Sequence, residues 1–506
     1  MVVGGFGRWG GVIVVALLCF LLVPSSVGVA APVVGPAAVD RFMSEYLART
    51  RLPGASIAIT HGDQVVYAAG YGHDSTGAAI TPTTRMPIAS VSKSMTAMAV
   101  MQLVDAGKVQ LDAPVHQYLT DFRLADSRGD RITVRQLLNQ TSGMSDTAFP
   151  DLRRPQADSL AGAVERLRTA RLAADPGTRF NYHNPNYQVA ARLVEVVSGE
   201  PFADYLQRNV FGPIGMRDSM TVDTARDADN VSHGYIRAYG FAVPVREPDW
   251  FVGGSHGVIT TAADLAGWLI TQNNGGRAPD GHQVVSAAAV AEMHTSSGVG
   301  DDDYGMGWWR VQSDDGVRIS HNGDWFTYTA HQVLLPDTGY GIAVIADTGM
   351  SLADDPEIIA RGLIELTRGE TPDVHRPWAI YADWGMALLT VGVIGLGGFC
   401  VLRSRRWADR QSNRPAWLIV LRQLPYLAPI VVLAVLPQLA SLVFGGRAGT
   451  FAQVTYVWLA LVVFLCVAAA AGLSVLLARA VRLIMLRRSR FGGDAQSEEP
   501  VAEVSA

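Results

Sequence analysis

Apolar and polar positions follow helix-like and strand-like patterns in turn between about residues 38 and 367. Apolar residues recur at helical spacing over residues 39–47, and the runs ASIAIT and VVYAAGY flank a short polar turn, which predicts a β-hairpin. Residues 91–104 are apolar on nearly every side and are followed by Gly107. This pattern predicts a helix buried at the centre of a domain.

The later part of this region returns to strands after a long helical stretch. Residues 112–300 show mainly helical patterns broken by Pro and Gly, and a closing helix is predicted over residues 354–366. Between them lie four strand-like runs, YGMGWWRV, VRIS, YTAHQVLLP and YGIAVIAD. Because strand patterns occur at both ends, we predict an α/β (α+β) fold with one antiparallel sheet, helices on its faces and a mostly helical subdomain.

Three apolar runs without charged side chains follow this domain, over residues 384–402, 423–446 and 448–478. Each run is long enough to cross a bilayer. Arginines cluster after the first run, over residues 403–422, and after the third, over residues 479–490. The positive-inside rule then places both clusters in the cytoplasm and the preceding domain outside the membrane. We predict a three-span anchor over residues 376–490 and a cytoplasmic tail over residues 491–506.

The first 30 residues have the pattern of a secretory signal peptide. Arg8 precedes an apolar run over residues 11–23, and small residues continue to Ala30. An uncleaved anchor helix is the alternative. In either case residues 31–375 are expected to form an extracytoplasmic domain, which places the protein in the cell membrane as a multi-pass protein.

The composition excludes some functions and makes one residue type informative. The formal net charge of -5 and the pI near 6.1 provide no basic field for nucleic acid. Lysine occurs at Lys93 and Lys108 alone among 41 basic residues, which indicates a bacterial genome of high GC content. The cysteines Cys19, Cys400 and Cys466 all lie in apolar runs, so the soluble region is expected to contain no disulfide.

Ser90 and Lys93 form the first candidate for chemistry. Ser90 opens the predicted buried helix, and Lys93 follows one turn later on the same face. A serine hydroxyl becomes a nucleophile when a base removes its proton, and a buried amine can act as that base. The alternative is a solvated lysine that happens to follow a serine.

Two further motifs are weaker when each is taken alone. Tyr182 and Asn184 follow a turn and precede a helical pattern; a tyrosine there could relay protons and an Asn amide could hold a substrate carbonyl. The sequence His321-Asn322-Gly323 lies between two strand patterns, where a plain Asn-Gly turn is the alternative. The histidines are scattered without zinc spacing, so no metal and no cofactor is expected.

Taken together and in this order, the motifs resemble those of a known family. The matching blocks are PIASVSKSMTAMAVMQLVDAGKVQLDAPVHQYL, LLNQTSGM, PGTRFNYHNPNYQVAARLVEVVSG, GGSHGVITTAADLAGWL, YGMGWW and SHNGDWFTYTAHQVLLP. They resemble class C β-lactamases, D-alanyl-D-alanine carboxypeptidases of the same fold, and related esterases. The resemblance covers about residues 38–367 and implies a β-lactamase/transpeptidase-like fold.

This resemblance assigns roles to the candidate residues. It implies that Ser90 is the nucleophile, that Lys93 and Tyr182 are the acid/base pair, and that Asn184 is a substrate-side amide donor. It also implies that the residues His321, Asn322 and Gly323 form the inner edge-strand motif. The oxyanion hole would then consist of the backbone N–H groups of Ser90 and Asp324.

The chain departs from the family at three positions. The β-lactamases have Lys-Thr-Gly where this chain has His321-Asn322-Gly323, although some peptidases and esterases of the family have histidine first. Asn322 fits neither common form, and Gln140 replaces the usual His before Thr-Ser-Gly. These changes put antibiotic hydrolysis in doubt more than serine chemistry.

The sequence therefore predicts a membrane-anchored, monomeric serine hydrolase. We expect it to act outside the membrane on a small peptide, amide or ester, with D-Ala-terminated wall peptides as the leading candidate and the lipid bilayer as its other partner. An esterase of the same family is one alternative. A receptor without catalysis, which binds wall peptides or β-lactams, is the other.

Overall fold

A computed structural model describes residues 34–229, 231–300, 303–313, 316–443 and 449–494. The predicted signal peptide, residues 1–30, lies outside the described residues, as do residues 495–506 of the predicted tail. We refer to the described residues up to 375 as the N-terminal domain and to those from 376 onwards as the helical unit.

The strands form one large sheet and two small ones. Their bounds are β1 Gly54–His61, β2 Gln64–Gly72, β3 Met86–Pro87, β4 Met220–Thr221, β5 Tyr235–Ala238, β6 Phe241–Pro244, β7 Val258–Thr260, β8 Trp309–Ser313, β9 Gly316–Asp324, β10 Thr329–Leu335 and β11 Tyr340–Ala346. The large sheet has the order β2-β1-β11-β10-β9-β8, and its neighbouring strands are antiparallel. The predicted sheet made from both ends of the domain is confirmed.

Helices cover both faces of this sheet and form the helical unit. Their bounds are α1 Pro36–Thr50, α2 Ser92–Asp105, α3 Val134–Leu138, α4 Leu160–Arg166, α5 Pro185–Ser198, α6 Phe202–Leu206, α7 Gly212–Ile214, α8 Ala262–Asn273, α9 Ala287–Met293, α10 Asp355–Thr367, α11 Trp378–Leu402, α12 Ser404–Gln411, α13 Ala416–Leu421, α14 Ala428–Val443, α15 Phe451–Val457 and α16 Leu459–Asp494. Apolar residues of α1 and α10 pack together with one face of the sheet. The burial of both sheet faces explains why β11 is buried along its whole length.

Helix α2 lies in the larger apolar core of the N-terminal domain. Eleven of its residues from Ser92 to Leu103 are buried, as the all-round apolar pattern predicts. It packs against α5, α6 and α9, and in its first turn Ser92 Oγ accepts a 3.0 Å hydrogen bond from Val258 N. This position makes the start of α2 a rigid platform for side chains.

Three helices among the described residues are long and apolar enough to cross a membrane, Trp378–Leu402, Leu424–Leu442 and Leu459–Ser489. The third differs from the run predicted over residues 448–478, because the chain leaves helical geometry at Trp458 (φ -149°, ψ 75°). The first begins earlier than predicted and includes the buried Asp383, whose Oδ1 accepts a 2.9 Å hydrogen bond from Trp458 Nε1. Asp383 lies just before the run predicted over residues 384–402, which itself contains no charged side chain.

Small residues allow close packing within the helical unit. A Cβ added at Gly397 of α11 would lie 2.9 Å from Ala471 Cβ of α16, so the two backbones approach closely there. Further along α16, the Arg479 guanidinium lies 4.8 Å from the Trp407 ring centroid and 4.7 Å from that of Tyr426. Residues of the two Arg-rich segments therefore meet at one end of the unit.

Candidate active site

Ser90 lies in a 3₁₀ turn, Ala89–Val91, which leads directly into α2. The preceding residue, Ala89, has φ 47°, a left-handed conformation that costs energy for a residue with a side chain. The tight turn brings the Ser90 backbone against β9, because a Cβ added at Gly323 would lie 3.1 Å from Ser90 N. Glycine is therefore required at position 323 for β9 to approach the serine.

Lys93 is fully buried and contacts Ser90 directly. Its Nζ lies 2.9 Å from Ser90 Oγ and 3.0 Å from the carbonyl oxygen of Ser255. The Ser255 carbonyl accepts one N–H of the amine, and Nζ also lies within hydrogen-bond distance of the Ser90 hydroxyl. This geometry allows a proton to move between Ser90 and Lys93 in either direction.

Aromatic rings surround the amine. Lys93 Nζ lies 4.9 Å from the Tyr182 ring centroid and 5.8 Å from that of Tyr187. Tyr304 packs edge-on against Tyr182 with ring centroids 6.0 Å apart. Burial raises the pKa of Tyr187 and of Tyr304 well above the ordinary value, so both phenols remain neutral at physiological pH.

Gln140 holds the loop that carries Tyr182. Its backbone oxygen accepts a 2.9 Å hydrogen bond from Asn181 N, while its Oε1 accepts bonds of 3.0 Å from His183 N and 2.6 Å from Asn186 Nδ2. It has φ 62° and is fully buried. Sequence reasoning recorded Gln140 as a departure from the family and missed this role; its place in the LLNQTSGM block was the available signal.

Asn184 stands at the N-terminus of α5, and its side chain is buried and makes no capping hydrogen bond. The neighbouring Asn186 is fully buried, donates to Gln140 and accepts a 2.7 Å hydrogen bond from Ser142 Oγ. Asn186 was not singled out from the sequence, yet it joins the Thr-Ser-Gly segment to the Tyr182 loop. The substrate-side role of Asn184 stays a prediction.

The four candidate residues at the end of β9 alternate between the two faces of the strand. His321 and Gly323 are buried and face the catalytic helix, whereas Asn322 and Asp324 are partly exposed. Asn322 Nδ2 donates a 3.0 Å hydrogen bond to Asp324 Oδ2 on that second face. The structure therefore places Gly323 against Ser90 and His321 beside Tyr182, whereas the Asn322 side chain bonds to Asp324.

His321 lies beside the tyrosines and is 1% exposed. Its Nδ1 lies 2.5 Å from the carbonyl oxygen of Asn322 and must carry a proton there, since a carbonyl only accepts. Its Nε2 lies 3.1 Å from Tyr304 Oη, and its ring centroid lies 6.0 Å from that of Tyr182. A charge on His321 would therefore lie close to the Tyr182 ring.

The start of α2, the loop before α5 and the end of β9 thus meet at one place. They bring together Ser90, Lys93, Tyr182, His321 and Gly323. A serine hydroxyl in contact with a buried amine, next to a strand edge, is an arrangement for acyl transfer. The chain belongs to the Beta-lactamase family, whose model matches residues 39–364. It is a serine hydrolase of that fold.

Known proteins resemble the N-terminal domain. Penicillin-binding protein 4 of Amycolatopsis lactamdurans is 31% identical over 340 residues, which are 64% of this chain and 89% of that protein. The octameric penicillin-binding protein homologue from Pyrococcus abyssi is 27% identical, with a TM-score of 0.58 over 69% of this chain and 81% of that one. EstCE1, a hydrolase with promiscuous acyltransferase activity, shares the fold at 20% identity, with a TM-score of 0.54 over 62% of this chain and 93% of its own.

Proposed function

We propose that the protein hydrolyses a small peptide, amide or ester through an acyl-enzyme on Ser90, with D-Ala-terminated wall peptides as the leading substrates. The observation that carries this proposal is the 2.9 Å contact between Lys93 Nζ and Ser90 Oγ inside a buried site. The name of the Amycolatopsis relative supports a penicillin-recognising site of this kind.

The proposed reaction uses this chain's own groups at each step. Neutral Lys93 takes the Ser90 proton while Oγ bonds to the substrate carbonyl carbon, and the N–H groups of Ser90 and Asp324 stabilise the oxyanion. The bond to the leaving group then breaks as a proton passes to it from Lys93, with Tyr182 as relay. Water attacks the ester on Ser90 in the same manner and releases the acid.

We further propose that three helices anchor the enzyme in the cell membrane, with the N-terminal domain outside. Two observations support this arrangement: the three long apolar helices, and the contact between Arg479 of one Arg-rich segment and Trp407 of the other.

The experiment that tests the function compares three substrate classes on the full chain in lipid nanodiscs. The substrates are a D-Ala-D-Ala peptide, a short-chain ester and a penicillin, each assayed with wild type and Ser90→Ala. We expect turnover of the peptide that is lost in Ser90→Ala. Turnover of the ester alone would favour the esterase, and binding without turnover of any of the three would favour the receptor.

A prediction about His321 separates a carboxypeptidase from an esterase. We expect the ratio of kcat/KM for a carboxylate-terminated peptide to that for its neutral amide to fall as the pH rises, because an imidazole attracts a carboxylate only while it is protonated. In His321→Lys the ratio should stay flat up to neutral pH, since an exposed ammonium keeps its charge there. A flat ratio in both enzymes would show that His321 does not bind the substrate carboxylate, and would favour the esterase.

A further inference from the structure

The helical unit contacts the N-terminal domain next to the active site. The chain between β9 and β10, residues 325–328, directly follows Asp324 and is called here the β9–β10 turn. Phe326 of this turn packs edge-on against Tyr456 of α15, with ring centroids 5.7 Å apart. Tyr456 Oη also donates a 3.0 Å hydrogen bond to the carbonyl oxygen of Arg246.

The residue after Arg246 fixes the same turn from within the N-terminal domain. Glu247 Oε1 accepts hydrogen bonds of 3.1 Å from Phe326 N and 2.9 Å from Trp250 Nε1, and its Oε2 accepts one of 2.6 Å from Thr327 Oγ1. Tyr456 therefore contacts the turn once directly, through Phe326, and once indirectly, through Arg246. It packs on the Phe326 ring and binds the backbone beside the carboxylate that holds Phe326 and Thr327.

The first residue of the turn bonds to the chain next to Ser255, which contacts Lys93. Trp325 is 1% exposed, and its Nε1 donates a 3.1 Å hydrogen bond to the carbonyl oxygen of His256. The preceding residue, Ser255, supplies the carbonyl that accepts from Lys93 Nζ at 3.0 Å. The turn thus lies between the proposed hole donor, Asp324, and the carbonyl that positions Lys93.

We propose that Tyr456 is a positioning residue for catalysis, so that the helical unit completes the active site rather than only anchoring it. Tyr456 holds the β9–β10 turn and, through it, the Asp324 N–H and the Ser255 carbonyl. This inference rests on the proposed role of Ser90 and extends it beyond residues 39–364, the part that the family model matches. The N–H groups of an oxyanion hole must be positioned to within a fraction of an ångström. The contact of Tyr456 with the turn therefore affects the catalytic rate more than the stability of the fold.

The test uses the full chain in nanodiscs with Tyr456→Ala, Tyr456→Phe and a control, Phe451→Ala, on the same short helix. We expect Tyr456→Ala to lower kcat about 10-fold with little change in KM, less than the ~10²–10³-fold loss that follows removal of a hole donor. Tyr456→Phe keeps the ring contact with Phe326, so its kcat should fall less than that of Tyr456→Ala. Phe451→Ala should match wild type.

A second measurement distinguishes positioning from general destabilisation. Sulfur is a weak hydrogen-bond acceptor, so a thionoester depends less on the hole than its oxoester does. Tyr456→Ala should therefore reduce the ratio of oxoester to thionoester rates, whereas partial unfolding would lower both rates equally. An unchanged ratio, or equal kcat losses in Tyr456→Ala and Phe451→Ala, would overturn the inference. If wild type itself shows no adduct on Ser90, the proposed function fails instead.

Discussion

Lys93→Arg is expected to acylate about 10²–10⁴ times more slowly than wild type, nearly as slowly as Lys93→Ala. The guanidinium keeps the positive charge but does not lose its proton in proteins, so it cannot accept the proton of Ser90. Lys93 is fully buried and contacts both Ser90 Oγ and the Ser255 carbonyl, so its replacement removes the base that lies beside the hydroxyl. The measurement is the single-turnover rate of acylation.

The second lysine of the chain provides a matched control for this change. Lys108 is exposed beyond the C-terminal end of α2, so Lys108→Arg should acylate at the wild-type rate. Thermal unfolding of both variants separates loss of the base from loss of the fold. Near-normal acylation by Lys93→Arg would show that another group, such as Tyr182, is the base and that Lys93 acts through its charge.

Gly323→Ala should lower kcat by about 10²–10³-fold, the loss associated with one oxyanion-hole donor. A Cβ at this position would overlap the Ile88 carbonyl oxygen and lie 3.1 Å from Ser90 N. Backbone atoms cannot rotate away as a side chain does, so β9 must move away from Ser90 and separate the two proposed donors. Steady-state kinetics with an ester substrate and a circular dichroism melt are the measurements.

A glycine elsewhere in the same sheet serves as the control. A Cβ at Gly341 of β11 would lie 2.6 Å from Thr60 Oγ1 and 3.1 Å from Leu269 Cβ, which are side-chain atoms remote from Ser90. Gly341→Ala should therefore lower the melting temperature and leave kcat close to wild type. If Gly323→Ala also retained kcat, the close approach of β9 to Ser90 would have no catalytic role.

The sequence predicted the elements whose burial leaves a regular pattern. Helix α2 is apolar on nearly every side and β11 is almost entirely apolar, so burial of both elements could be predicted from the sequence. Ser90 and Lys93 could be placed on one face because an α-helix brings residues three apart together. The contact between Lys93 and Ser255 could not be predicted in this way, because Ser255 lies in a loop far from Lys93 in the sequence.

Three features could not be read from local pattern because each depends on tertiary contacts. The β5–β6 hairpin turns at Tyr239 and Gly240, both with positive φ, and lacks the Asn-Gly or Asp-Gly signature of such turns. Gln140 adopts φ 62° with its side chain committed to the Tyr182 loop. The last long helix is interrupted at Trp458, which bonds to Asp383 of another helix.

The central claim, that Ser90 carries the acyl group, is tested most directly by mass spectrometry of the trapped intermediate. The full chain is quenched in acid during turnover of a slowly deacylating ester or penicillin, digested and mapped. We predict one acyl group, located on Ser90 and absent from Ser90→Ala. The neighbouring Ser92 and Ser94 are buried and hydrogen-bonded to the backbone, so neither should react. An adduct on either of them, or one that persists in Ser90→Ala, would contradict the account.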